Sequence, residues 1–134
     1  MSSVALHHHK TLPAKATLAR SWFIANFKPK TVADMMAQCP PGSADNAKMR
    51  MVMTYWDMVA SFVTSGVLNP ELLFASGREL LVVWLRLEPL LGELRIAFKD
   101  ANYYKNLETV GTQYIEYLNK TSPGAAEAFK ARVG

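Results

Sequence analysis

Between Ser43 and Gly66 apolar side chains recur at steps of three and four residues, and no other feature limits the chain's folding as tightly. Val52, Tyr55, Trp56, Val59, Phe62 and Val63 fall on one side of a helix that turns about 100° per residue. Met49, Met51, Met53 and Met58 widen that side into a broad arc. Asp57 is the only charge between Arg50 and Ser65, and with Thr54 and Ser61 it forms a narrow polar stripe. So apolar a rod must be covered by neighbours, so a long central helix is expected near 44–65. Ser43 suits its N-cap, Asp45 the positive end of its dipole, and Gly66 the left-handed position just past its end.

The rest of the chain is punctuated in the same way. Thr11-Leu12-Pro13 opens a segment with Leu12, Ala16, Ala19, Phe23 and Phe27 at helical spacing, and Lys28-Pro29-Lys30 ends it. Thr31 can cap a short helix to about Gln38, ahead of a loop at Pro40-Pro41-Gly42. Asn69-Pro70-Glu71 starts another short helix, ending near Phe74. Ser76-Gly77-Arg78-Glu79 reads as a capping box. The helix it opens, near 77–99, places Leu80, Val83, Trp84, Leu87, Leu91 and Leu94 inward. Glu79, Arg86 and Glu93, seven residues apart, are expected in water. Pro89 predicts a kink or a break near Arg86–Glu88. Asp100 is the expected cap of a helix with Tyr103, Leu107, Val110, Tyr114 and Leu118 inward. Ser122-Pro123-Gly124 starts a last short one ending near Arg132. Hairpin turns and sustained two-residue alternation are missing. The expected fold is therefore all-α: a single-domain irregular bundle of about five to seven helices over residues 11–134, preceded by a leader at 1–10.

Composition narrows the function classes. The longest apolar run, Leu80–Leu85, is far shorter than the roughly 20 residues of a membrane span. The N-terminus lacks the apolar stretch of a signal peptide, so a cytoplasmic protein is expected. The net charge of +4 is concentrated in residues 1–30, where Lys10, Lys15, Arg20, Lys28 and Lys30 face no acid. Lys10, Lys15 and Arg20 point in three directions on a helical wheel, which argues against a nucleic-acid stripe. Cys39 is the only cysteine, so an intrachain disulfide is excluded and a structural role is expected.

Tyr55-Trp56-Asp57, then Gly66-Val67-Leu68-Asn69-Pro70-Glu71, then Trp84 with Leu87-Glu88-Pro89 and Arg95 resemble an uncharacterised bacterial all-helical family, a domain of unknown function. The resemblance covers roughly residues 45–110. Members resemble one another in an acidic residue after an aromatic, a Gly-Val/Ile-Leu/Ile turn, a tryptophan, a proline and an arginine. Asp57 stands here where glutamate is more usual, and some relatives carry an N-terminal membrane helix that this sequence lacks. The resemblance implies a helical fold and supplies no activity.

Asp57 and Arg95 are the candidate polar pair. Asp57 lies in the most apolar helix, while Arg95 follows Trp84, Glu88 and Leu91 toward the core side. A buried charge needs a partner, so the two are expected to meet directly or through a tyrosine hydroxyl, as a structural tie or a ligand site. Trp56, Trp84, Tyr103 and Tyr114 are the candidate lining of an apolar pocket. His7, His8 and His9 cannot converge on one ion from a helix, and no later histidine exists to complete a metal site, a catalytic triad or the commonest general base. Glu88 and Glu93 lie on different faces, and no phosphate-binding glycine loop is present. No catalytic residue, metal or cofactor is assigned. The leading expectation is a non-enzymatic helical interaction module that self-associates through the broad apolar arc. The alternative is a small-molecule binder or enzyme with an aromatic pocket between helices. A weaker one is contact of the basic N-terminus with an anionic membrane or nucleic acid.

Overall fold

The computed structural model describes residues 12–134. They form seven helices and no strand: α1 (Leu12–Asn26), α2 (Val32–Gln38), α3 (Ala44–Thr64), α4 (Pro70–Ser76), α5 (Arg78–Phe98), α6 (Lys105–Thr121) and α7 (Ala125–Val133). The His7–His9 tract, Lys10 and the leader lie outside the described residues.

Local chemistry accounts for three of the helix starts. The Thr31 hydroxyl accepts the Asp34 N–H while Asp34 reaches back to the Thr31 N–H, a complete capping box for α2. Ser43 accepts the Asn46 N–H at 3.1 Å to open α3. Asn69 accepts the Glu71 N–H at 2.8 Å with Pro70 at the first helical position of α4. Gly66, at φ +85°, takes the left-handed position after α3.

Two expected caps are replaced. Gly77, not Ser76, precedes α5 and has no side chain to cap it, while Glu79 turns to α3 and α1. Helix α6 begins at Lys105, behind a left-handed Tyr104 at φ +53°. Asp100 instead closes the turn before it by accepting the Asn102 N–H at 2.9 Å.

Helix α5 is the centre of the bundle. It buries Leu80 through Trp84, Leu87, Leu90, Leu91 and Leu94, and it runs unbroken through Pro89. Proline removes one donor from the ladder, but Pro89 lies on the exposed side, where its ring meets solvent. Core burial on both sides of the proline holds the halves in line, so the break does not occur. Against α5 packs α6, with Leu107, Val110, Tyr114 and Leu118 inward. Gly111 permits the close approach, since a Cβ there would lie 2.9 Å from Trp84 Cβ and nearer still to its indole ring.

The inward face of α3 is phased differently from expectation. Met49, Val52, Met53, Trp56 and Ala60 are buried, whereas Tyr55 and Phe62 stand outside with Met51 and Met58. Helices α1 and α6 pack on α3 and take the methionine side of the arc as core.

Arg86 corrects a second expectation. Far from facing water, it is only 7% exposed. Its Nη1 donates to the Phe23 and Ile24 carbonyls, both at 2.7 Å, and its Nε and Nη2 donate to the Val133 carbonyl at 3.3 and 3.2 Å. These carbonyls belong to the last turns of α1 and α7, where the negative end of the dipole lies, and Phe23 also accepts the Phe27 N–H at 3.0 Å. One guanidinium thus ties two helix ends to the middle of α5, and burial lowers its pKa below the usual arginine value. Arg86→Met, which keeps the stem but removes the donors, is expected to destabilise the fold by about 3 kcal/mol. Urea denaturation measures this, and a loss under about 1 kcal/mol would show the carbonyls find other partners.

Candidate functional site

Asp57 and Arg95 do not pair with each other. Both instead grip the first turn of α6, from different helices. Asp57 Oδ1 accepts the Leu107 N–H at 2.9 Å, doing from α3 what an N-cap side chain does within its own helix. The left-handed Tyr104 provides no side-chain cap, which leaves that amide available to a partner from outside. Arg95 donates from Nε and Nη2 to the Tyr103 carbonyl at 3.1 and 2.9 Å, and from Nη2 to Glu108 Oε1 at 3.0 Å. Lys105 Nζ reaches the same Glu108 oxygen at 3.1 Å.

The electrostatics follow this arrangement. Burial pushes the Asp57 carboxyl above its usual value, and the Leu107 N–H only partly offsets it. Glu108 is held below the ordinary carboxylate range, first by the Arg95 hydrogen bond and then, against some desolvation, by Lys105. Burial also raises Tyr104 well above an ordinary phenol. Its ring meets that of Tyr103 edge to face at 4.5 Å. The contacts of Asp57 and Arg95 fall on the start of α6, which makes this region a brace on that helix.

Each of the four aromatic residues is engaged in packing or a hydrogen bond. Trp84 is sealed against Gly111. Tyr114 is fully buried, stacks on Phe74 at 4.7 Å, and donates its hydroxyl to the Phe74 carbonyl at 2.8 Å. Tyr103 packs against Phe98 and Tyr104. Trp56 donates Nε1–H to Glu79 Oε2 at 2.7 Å. None of the three principal cavities is lined by any of these four residues.

Glu79 is a joint that the spacing argument placed in water. Besides Trp56 it takes a forked contact from Arg20, whose Nε lies 2.9 Å from Oε2 and whose Nη2 lies 3.0 Å from Oε1. Three helices, α1, α3 and α5, meet at this carboxylate. A buried indole N–H demands an acceptor, so Trp56 was the available signal that some acid or carbonyl had to lie nearby. Cys39 is fully buried and its thiol is pushed up by burial, which suits a structural residue. Among the described residues no three histidine, cysteine, aspartate or glutamate side chains converge as a metal site.

An ordered row of exposed apolar side chains lies on the outer face of α3. Met51, Tyr55, Met58 and Phe62 are 37–48% exposed and follow one another at four, three and four residues. Between α1 and α3 a groove of about 280 Å³ runs alongside, lined by Ala16, Thr17, Arg20, Met51, Val52 and Tyr55. Two hydroxyls beside this face, those of Thr54 and Ser61, fold back onto their own helix. Thr54 donates to the Arg50 carbonyl and Ser61 to the Met58 carbonyl, each at 2.6 Å.

A family model described as "Domain of unknown function (DUF4760)" matches residues 3–114. The chain belongs to this family. The DUF4760 match spans α1 to the buried Tyr114 in α6, and so includes both the α3 face and the brace on α6. Among curated proteins and among solved structures nothing matches. No helix of the described residues is long and apolar enough to cross a membrane.

Two outcomes test the brace. Asp57→Ala removes the only side-chain acceptor on the Leu107 N–H and is expected to cost about 1–2 kcal/mol. Asp57→Asn keeps an acceptor oxygen and sheds the desolvated charge, so it should cost less than half as much. Equal losses in urea melts would contradict the cap. Glu108 carries the acid dependence. Its folded pKa lies below the unfolded value of 4.5, so its stabilisation is present above pH 4.5 and is lost as pH falls through the folded value. Asp57 works in the opposite sense, its contribution fading as pH rises through its raised value. Glu108→Gln should therefore flatten the decline in stability between about pH 5 and pH 3. An unchanged slope would remove Glu108 from the network.

Proposed function

We propose that this chain is a non-enzymatic helical module that associates with a second copy of itself through the outer face of α3. The observation that carries the reading is the exposed row Met51, Tyr55, Met58 and Phe62. Steps of four, three and four are those of the apolar seam in paired helices, where each side chain enters a gap on the facing helix. After Arg50 the only charge on α3 is Asp57, which is turned to α6, so two copies can approach without like-charge repulsion. The self-satisfied hydroxyls of Thr54 and Ser61 lose little on leaving water. Methionine and aromatic side chains supply adaptable contact area, and a twofold arrangement sets the row against itself. The neighbouring groove beside Tyr55 offers room for a protruding side chain of the partner copy.

The other readings draw less support. The aromatic residues suggested for a ligand pocket are committed to packing. Arg20, a central part of the basic N-terminal region, is engaged by Glu79. We place the protein in the bacterial cytoplasm. The buried, unpaired Cys39 suits a reducing compartment, and the bacterial assignment rests on the sequence resemblance.

Sedimentation of the purified chain is expected to show a reversible dimer. Met58→Glu with Phe62→Glu would set charges against each other across the seam and should give a monomer with unchanged helical content. A wild-type chain that stays monomeric over the accessible concentration range, or a double variant that still dimerises, would overturn the reading.

A further inference from the structure

A cavity lies where the link after α1, the middle of α5 and the end of α7 meet. It encloses about 320 Å³, at the lower end of the range for small-molecule sites. Pro29, Leu85, Pro89 and Val133 supply an apolar wall. Lys28, Lys30 and Lys130 surround it, with Arg86 on the wall and Glu88 as its only acidic side chain.

The lysines are short of anionic partners. None of the three forms an ion pair with a carboxylate side chain among the described residues, although Glu88 lines the same cavity. Lys30 Nζ donates to the Gly134 carbonyl at 3.2 Å, and no hydrogen bond engages the ammonium of Lys28 or Lys130 among the described residues. Even with a carboxylate counted on Gly134, the three ammoniums outnumber the acids around the cavity.

Two helices end here, and their carbonyls would ordinarily repel an anion. Four of those carbonyls are engaged by side chains: Phe23, Ile24 and Val133 by Arg86, and Asn26 by Gln38 Nε2 at 2.8 Å. Arg86 uses four of its five N–H groups on them and retains one on Nη2. Arg86 thus offsets much of the negative charge of the helix ends, and the three lysines add positive charge around the cavity.

We infer that this cavity binds a small amphipathic anion, a carboxylate or phosphate monoester whose short apolar tail lies against Pro29, Leu85, Pro89 and Val133. Its head group would sit among Lys28, Lys30 and Lys130, with the remaining Arg86 N–H available as a buried donor. Carboxylates and phosphates share the negative oxygens that this arrangement recognises, and the choice between them is left to the test.

The test is calorimetric titration of the full chain with hexanoate and hexyl phosphate, with inorganic phosphate, hexanol and hexylammonium as comparison probes. Saturable binding of at least one of the two tailed anions is expected, weakening as salt is raised. Hexanol and hexylammonium should not bind measurably, and inorganic phosphate should bind more weakly than its hexyl ester. Lys28→Gln with Lys130→Gln, both changes at exposed positions, is expected to weaken binding by about tenfold or more. Lys99→Gln with Lys120→Gln removes the same charge elsewhere and should leave it unchanged. Failure of both tailed anions to saturate the folded wild-type chain overturns the inference. So does equal weakening by the two double variants, which would mean diffuse attraction to a basic protein. Inorganic phosphate binding as tightly as hexyl phosphate would overturn the role of the apolar wall.

Discussion

A buried guanidinium must be surrounded by acceptors, and in this bundle the demand is met entirely by main chain. Arg86 stands in the middle of α5 and collects carbonyls from the last turns of α1 and α7. Each helix end carries about half a negative charge, so two of them together come close to balancing one arginine. The first and last described helices are thereby fixed to the central one at a single point. The course of α1, the turn at Lys28–Lys30 and the cavity beneath it all depend on this balance.

The same logic operates at the other end of α5 with opposite sign. Helix α6 starts behind a left-handed tyrosine, a conformation that costs roughly 1–2 kcal/mol for a residue with a Cβ. Asp57 takes an N–H of its first turn, and Arg95 takes the carbonyl just before it and the side chain of Glu108. Charges from α3 and α5 thus hold a start that the local sequence does not cap. The ends of α1 and α7 and the start of α6 are finished by residues on other helices.

That division explains what could be read in advance. Thr31, Ser43 and Asn69 cap their own helices within three residues, and short-range chemistry of that kind is visible in a sequence. The helical fold and the long rods at 44–64 and 78–98 follow from apolar spacing in the same way. Arg86 and Glu79 could not be placed, because their seven-residue spacing with Glu93 looks like a wet stripe. Their partners are backbone carbonyls, an indole and an arginine brought from far along the chain. Asp57 and Arg95 were legible as charges in apolar surroundings, yet a backbone amide or carbonyl has no letter of its own to identify it as the partner. On α3 the four methionines left two faces almost equally apolar. Only the positions of α1 and α6 decide that Met49 and Met53 go inside while Tyr55 and Phe62 stay out. The candidate interaction face was therefore legible as an excess of apolar residues and illegible as to which ones it exposes.

Recognition through main-chain oxygen has an evolutionary corollary. A carbonyl is present whatever side chain its residue carries, so the positions gripped by Arg86 at Ile24 and Val133 are free to drift without loosening the grip. Arg86 has no such freedom, since the three protons of a lysine radiate from one nitrogen and cannot reproduce the flat fork that reaches carbonyls of two helices with four bonds. Tolerance to substitution should thus be lopsided across this contact, strict on the holder and lax on what is held.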